Sequence, residues 1–223
     1  MPVAVGLDIG TEAVRAAVVD TGKSSSVLRR FAEMPLPDGA VVAGDIVEPG
    51  AVHEAVAALW KRHRLPKKRV VIGIANQRVI VRQVDVPHLE EEELQEALPY
   101  QVQDVIPIPV EDTVLDYVPL EEFATPDGEL MLSILVVAAQ REMVEGLVDV
   151  ARTAGLQVMS VDLQVFGLVR AAFGADLLLG GDGPQGLLDI GATMSQIAVV
   201  RGGIIRFVRI LSSGGDAFTA GLS

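Results

Sequence analysis

The apolar positions of this chain fall into short blocks near its start. Val3–Ile9 is a brief apolar run that stops at a Gly turn, and Ala13–Val19 and Val27–Phe31 follow as two more strands across the polar turn "DTGKSSS". Asp38–Gly50 shows no period and reads as a loop. From Ala51 the spacing changes: Val52, Val56, Leu59, Trp60 and His63 recur three or four apart, as on one face of a helix that must end before Pro66. "RVVIGIA", residues 69–75, is then a buried strand, so the opening third reads β-β-β-α-β.

A second texture begins near Gln77. Val79–Pro87 alternates as a strand, and residues 89–105 read as an acidic helix whose first turn is crowded with carboxylates, where the helix dipole favours them. Pro99 lies inside it and removes one intrahelical hydrogen bond, which predicts a kink or break there. "IPIPVED" is a Pro-pinned loop, and residues 113–122 and 129–140 are two strands joined by "TPDG". The run "LMLSILVVAA", Leu130–Ala139, is too short to cross a bilayer, which takes roughly 20 residues, and reads as a buried central strand. Met143, Leu147, Val150, Ala151 and Ala154 mark a helix stopped by Gly155. Residues 77–155 thus form a β-α-β-β-α block that looks inserted. A strand (156–163), an apolar helix (163–173) and a Gly-rich linker (174–186) lead to three more strands, Gly186–Ile190, Gln196–Val200 and Ile204–Leu211, and then to a Gly turn entering a helix.

The 223 residues suffice for one or two compact domains. A composition that is 50% hydrophobic but only 4% aromatic leaves Val, Ile, Leu and Ala to fill the core, as in α/β proteins with buried strands. The formal net charge of −12 opposes a general nucleic-acid role, since phosphate binding needs clustered cations, and argues against unaided docking on anionic lipid. The one basic cluster, "KRHRLPKKR" at Lys61–Arg69, reads first as a helix C-terminus and solvated loop, and second as a docking patch. With no cysteine there is neither a disulfide framework nor a thiolate metal site, which fits a cytoplasmic protein, and no basic leader precedes the first strand. His53, His63 and His88 are scattered, Glu90–Glu93 reads as a solvated helix start, and no Ser-His-Asp arrangement can be placed.

The chemistry lies in a repeat. "GLDIGTEAVRAAVVD" (Gly6–Asp20) returns as "LLDIGATMSQIAVVR" (Leu187–Arg201). With Asp8 set on Asp189, an offset of 181, Asp-Ile-Gly matches, Ala17-Val18-Val19 matches Ala198-Val199-Val200, and Gly22 matches Gly203. A Gly at the tip of such a turn, Gly10 or Gly191, lets backbone amides approach an anion with no Cβ in the way. A hydroxyl beside it, Thr11 or Thr193, adds a donor for a phosphate oxygen. The Asp before it would be repelled by phosphate unless a divalent cation lay between them. Asp8 and Asp189 together therefore suit the outer ligands of a Mg2+ ion that keeps its waters. Two such hairpins related by a pseudo-twofold would grip a triphosphate from both sides.

This duplicated hairpin resembles the two phosphate loops of the actin, heat-shock chaperone and sugar-kinase superfamily. Four stretches together resemble the PilM-like, FtsA-related family of actin-like type IV pilus assembly proteins: "GLDIGTEAVRAAVV", "VDVPHLEEEELQEALPYQVQDVIPIPVEDTVLDY", "LLDIGATMSQIAVVRGG" and "VRILSSGGDAFT". The second of these separates such proteins from chaperones and kinases. The resemblance implies an α/β fold: an actin-like ATPase (ribonuclease-H-like) lobe at 1–76 and 156–178, an inserted β-α-β-β-α subdomain at 77–155, and the start of a second lobe at 179–223. It implies ATP and Mg2+ as cofactors. Asp8, Gly10 and Thr11 would face the phosphates and the metal, and Arg15, where the family often has Lys, would lie near phosphate or the cleft. Asp189, Gly191, Ala192 and Thr193 would form the opposing loop, with Gly214 and Gly215 in a turn near it.

The family's adenosine-binding Gly-rich motif would come later than Ser223. That leaves an intact nucleotide site within these residues open, and it predicts an exposed half-interface that pairs with another copy or aggregates. The implied role is a cytoplasmic adaptor at the inner-membrane face, attached to the membrane only indirectly. It would take the N-terminal tail of a PilN-type inner-membrane protein in a groove beside the inserted subdomain, alongside other pilus assembly components, with weak ATP hydrolysis at most. An FtsA-like filament protein, a small-molecule kinase of the same superfamily and a module that binds no nucleotide remain as alternatives.

Overall fold

The computed structural model describes residues 3–22, 26–173 and 183–222. Part of the expected turn (23–25), most of the expected Gly-rich linker with its lobe boundary at 178 (174–182), and Ser223 lie outside the described residues. β1 (Val3–Ile9), β2 (Ala13–Thr21) and β3 (Ser26–Pro35) form an antiparallel meander. The stretch 38–50, read from sequence as a loop, holds a small hairpin, β4 (Val41–Val42) with β5 (Asp45–Ile46). Strands of two residues carry no period. The turn is made by Ala43 and Gly44 at φ 50° and 82°, and Ala40 and Val41 are buried beside it.

α1 (Pro49–His63) starts ahead of its apolar period because a proline is pre-set for the first helical turn. Its face of Val52, Val56, Leu59 and Trp60 joins Val5, Leu7, Ile9 and Val14 in one core. β6 (Val70–Ile74) pairs parallel to β1 and, beyond it, β10 (Val158–Leu163) pairs parallel to β6, giving a mixed sheet in the order β10-β6-β1-β2-β3.

Between β6 and β10 the chain forms β7 (Val79–Pro87), α2 (Glu91–Val102), β8 (Thr113–Ala124), β9 (Leu130–Gln140) and α3 (Arg141–Thr153). Their sheet has the order β7-β9-β8, so the apolar run expected to be a central strand is one. It is buried on both faces: Ile134, Val136 and Ala138 join Leu94, Leu98 and Val102 of α2, while Leu135 and Ala139 join Met143, Leu147 and Ala151 of α3 in the main core. α2 is shorter at both ends than its acidic pattern, and it runs past Pro99 to Val102 rather than breaking there. The buried stripe Leu94, Leu98 and Val102 spans the proline, so packing outweighs one lost backbone bond. Gly155 ends α3 as expected, at φ 78°, with Leu156 N bonding Ala151 O at 3.1 Å.

α4 (Gln164–Phe173) follows β10 directly. After it come β11 (Gln185–Ile190), β12 (Ser195–Arg201), β13 (Ile204–Leu211) and the short α5 (Gly215–Gly221). The β11–β13 meander repeats β1–β3 down to its flaw. The ladder of the first slips between Val18 and Val19, and that of the second between Val199 and Val200, which are equivalent positions under the offset of 181. In each, the third strand carries the extra residue, Arg29 or Arg206, and bulges of this kind re-aim a strand.

Leu59→Ala tests the α1 face. Because Leu59 is fully buried in the main core, the change is expected to cost about 2–5 kcal/mol in urea unfolding, and a cost under about 1 kcal/mol would mean that this face does not hold the first sheet.

Candidate functional site

Both Asp-Ile-Gly hairpins close in the same way. Gly10 N donates to Ala13 O at 3.0 Å, and Gly191 N to Met194 O at 2.9 Å. Each glycine's own amide is therefore engaged inside its turn, and the amides left outside the backbone ladders are the next ones, those of Thr11 and Glu12 and of Ala192 and Thr193. Space at both glycines is also tight. A Cβ on Gly10 would stand 3.2 Å from Ala13 O and from Arg15 Nη1, and one on Gly191 3.0 Å from Met194 O.

The tips meet. Thr11 Oγ1 and Thr193 Oγ1 share a hydrogen bond of 2.7 Å, although the two residues are 182 apart in sequence. Asp8, Gly10, Thr11 and Arg15 line one side of a cavity of about 650 Å³, and Asp189, Gly191, Ala192 and Thr193 line the other. Gly214 and Gly215 do not line it. They brace the second loop from behind: Gly215 N donates to Gly191 O at 2.8 Å, Asp216 N donates to Ala192 O at 3.0 Å, and a Cβ on Gly214 would collide with the Gly191 and Ala192 carbonyls. Their expected place near the loop is met by buttressing rather than by facing a ligand.

In the ladders, Asp8 lies opposite Arg15, and Asp189 opposite Gln196. Arg15 Nη1 is 3.6 Å from Asp8 Oδ2, while Arg15 Nε donates to Glu33 Oε2 at 2.6 Å. The guanidinium is thus already held by two carboxylates. Burial raises the pKa of Asp8 above the ordinary carboxylate value; Arg15 opposes this, the nearby charge of Asp189 adds to it, and the Gln164 hydrogen bond opposes it.

Two glutamines, which sequence reading missed, join the acids. Gln164 opens α4, and its Nε2 donates to Asp8 Oδ1. Its Oε1 accepts from Gln196 Nε2 at 2.9 Å, and the same Gln196 nitrogen reaches Asp189 Oδ2 at 3.3 Å. Two amides therefore bridge two carboxylates, one on each hairpin. Gln196 is 2% exposed, and its Oε1 is buried with no partner. An acceptor left so costs about 1–3 kcal/mol, and it suits a donor brought in by water or ligand. Gly73 leaves room for Gln164, since a Cβ there would stand 2.9 Å from Gln164 Cγ. Gln196 had a signal in the repeat, for it follows Asp189 by seven residues as Arg15 follows Asp8. Gln164 had none, because it arrives from a separate strand. Among the described residues no group of three or more His, Cys, Asp or Glu could hold a metal. A cation here would rest on Asp8, Asp189, waters and a ligand's own oxygens, as Mg2+ does in phosphate sites.

A family model described as type IV pilus assembly protein PilM matches residues 6–223. The chain belongs to the PilM family. It also matches a chain of a PilM–PilN type IV pilus biogenesis complex at 30% identity and a TM-score of 0.85, over 97% of its own length and 63% of that chain, so it spans less than two thirds of that relative. The cytoplasmic domain of EpsL, an inner-membrane component of the type II secretion system of Vibrio cholerae, matches at 13% identity and a TM-score of 0.55, covering 95% of this chain and 71% of that one. MreB5 of Spiroplasma citri, bound to ADP, matches at 14% identity and a TM-score of 0.50, covering 99% and 55%. At such identities these two matches show fold alone. This PilM family member has an actin-like α/β fold, as the doubled hairpin led us to expect.

Two outcomes test the site's physics. With its pKa raised, Asp8 binds its proton more tightly in the folded chain than in the unfolded one. Its contribution to stability is therefore full below the ordinary carboxylate pKa and is lost as pH rises through the raised one. Asp8→Asn keeps an acceptor for Gln164, so it is expected to raise the thermal midpoint of the ligand-free protein at neutral pH; a lower midpoint would contradict this. Gly214→Ala is expected to lower the midpoint by several degrees, because the carbonyls of Gly191 and Ala192 must move aside. An unchanged midpoint would mean that Gly214 does not fix the second loop.

Proposed function

We propose that the cleft binds the phosphates of ATP with Mg2+, and that the full-length protein is an actin-like adaptor of type IV pilus assembly. The observation that carries the nucleotide reading is the pairing of two like hairpins tip to tip, with one Asp in each and a bridge of amides between them. The unpartnered Gln196 Oε1 and the amides beside each tip glycine fit a ligand that brings waters and anionic oxygens. Bound Mg2+ would neutralise phosphate charge beside two carboxylates. Asp8 and Asp189 would hold it through its waters, Thr11 and Thr193 would exchange their mutual hydrogen bond for bonds to phosphate, and Arg15, fixed by Glu33, would keep Asp8 in place. Because the hairpins belong to separate sheets, a ligand gripped by both ties the lobes together, which suits a conformational clamp with at most slow hydrolysis. This reading divides the chain as 1–76 with 156–178, 77–155 and 179–223.

The partner reading rests on the match to a PilM–PilN complex. The N-terminal peptide of a PilN-type inner-membrane protein would seat beside the inserted block, holding this protein at the cytoplasmic face of the membrane with the other assembly components. Among the described residues no helix is long and apolar enough to cross a membrane.

Calorimetric titration of the full-length protein with ATP tests the cleft by sign. With Mg2+ present, Asp8→Ala and Asp189→Ala are each expected to weaken binding at least about tenfold, a difference of about 1.4 kcal/mol. With the metal chelated, the same changes remove a carboxylate that repels phosphate, so affinity is expected to hold or rise. Equal weakening in both conditions would refute metal-mediated roles. Saturable binding of a labelled PilN N-terminal peptide, measured separately, tests the adaptor role, and phosphorylation of a sugar or small alcohol would favour the kinase alternative.

A further inference from the structure

We propose that the basic tip at Lys61–Arg69 is a contact surface for the anionic headgroups of a lipid bilayer. Six of the chain's 18 Lys and Arg fall within these nine residues, and no Asp or Glu does. Lys61, Arg62, Arg64, Lys67, Lys68 and Arg69 are all exposed. Among the described residues none of them takes part in an ion pair, whereas Arg15, Arg29, Arg78, Arg170 and Arg206 all do. The dipole of α1 accounts for Lys61 and Arg62, which sit in its last turn. It does not account for Lys67, Lys68 and Arg69, since that effect fades within the terminal turn. Arg64 and Arg69 hold left-handed backbone, at φ 50° and 59°, where Gly or Asn is the usual occupant, yet each position keeps a long cation.

The tip is also rigid, and its backbone is turned inward. Trp60 Nε1 donates to Pro66 O at 2.9 Å, Leu65 is buried and its amide bonds Trp60 O, Gln157 N donates to Lys67 O at 2.7 Å, and Val5 N donates to Arg69 O at 3.1 Å. A loop whose backbone is already held leaves only side-chain entropy to be lost on binding. No residue of the run lines the cleft between the two hairpins. The carbonyls of His63, Arg64, Pro66, Lys67 and Arg69 are all taken up within the fold and are not offered to an extended peptide, whereas a headgroup plane needs only exposed charge. Arg30 Nη1 donates to His63 O at 2.6 Å, so a further exposed cation, from β3, stands against the end of α1. Lys67 Nζ lies 3.4 Å from where a Gly155 Cβ would be, so the run packs beside the residue that ends α3. The total charge of −12 describes the body, not the tip: an anionic surface repels the one and attracts the other, which would orient the molecule tip-first.

Vesicle flotation of the full-length protein without nucleotide tests this independently of the cleft. The protein is expected to float with phosphatidylcholine vesicles carrying about 30% phosphatidylglycerol, not with pure phosphatidylcholine, and to be released by high salt. Lys61→Gln with Lys68→Gln should weaken partitioning roughly thirtyfold at two cations removed. Arg201→Gln with Arg209→Gln, the same charge change at exposed sites elsewhere, should leave it unchanged, with thermal melts confirming that both variants fold. Absence of flotation, equal binding to neutral vesicles, or equal loss for the two pairs would overturn the proposal. So would binding of a polyglutamate peptide by a protein that no vesicle retains, which would assign the tip to an acidic protein.

Discussion

Two carboxylates on different sheets are held across a cleft by two side-chain amides, and much of the rest of the structure serves that contact. Asp8 is next to last in β1, Asp189 is next to last in β11, Gln196 stands opposite Asp189 on β12, and Gln164 opens α4. Placing Gln164 there needs β10 parallel to β6, and needs Gly73 in β6 to have no side chain. The bridge gives both carboxylates a donor, including Asp8, which burial makes costly to ionise, yet it leaves Gln196 Oε1 without one. A site left incomplete in this way is built for something more than stability.

The repeat constrains the two jaws to one shape. Equivalent glycine turns, equivalent ladder slips and equivalent cross-strand partners for each Asp show that the second meander copies the geometry of the first, not only its sequence. The copies differ where their roles diverge. The partner of Asp8 is a guanidinium held by Glu33, and the partner of Asp189 is a buried amide. The first jaw is tied into its own sheet, while the second is tied to the first through Gln164 and Thr11 and buttressed from behind by Gly214 and Gly215.

The strands and long helices were legible because buried faces impose period: β9 carries an apolar run, broken only by Ser133 before Gln140, because both its faces are covered. The two-residue strands β4 and β5 were not legible, since nothing repeats in them, and Pro99 misled because local backbone chemistry was outweighed by the stripe Leu94, Leu98 and Val102. At the site, the Asp-Ile-Gly turns were visible as a repeat, and the acids and threonines named from it do meet across one cavity. Gln164 was invisible, because its role comes from a tertiary meeting of elements far apart in sequence, and the bracing role of Gly214 depends on a close backbone approach that no spacing reveals.

The central claim is that one ion-bound ligand is gripped by both jaws at once. A double-mutant cycle on ATP–Mg affinity, with Asp8→Ala, Asp189→Ala and the pair in the full-length protein, tests it most directly. If both carboxylates hold one ion, either change alone should cost nearly as much as both together, a coupling of about 1 kcal/mol or more. Losses that simply add would mean that the two hairpins do not share a ligand, and the two-jawed grip would be wrong.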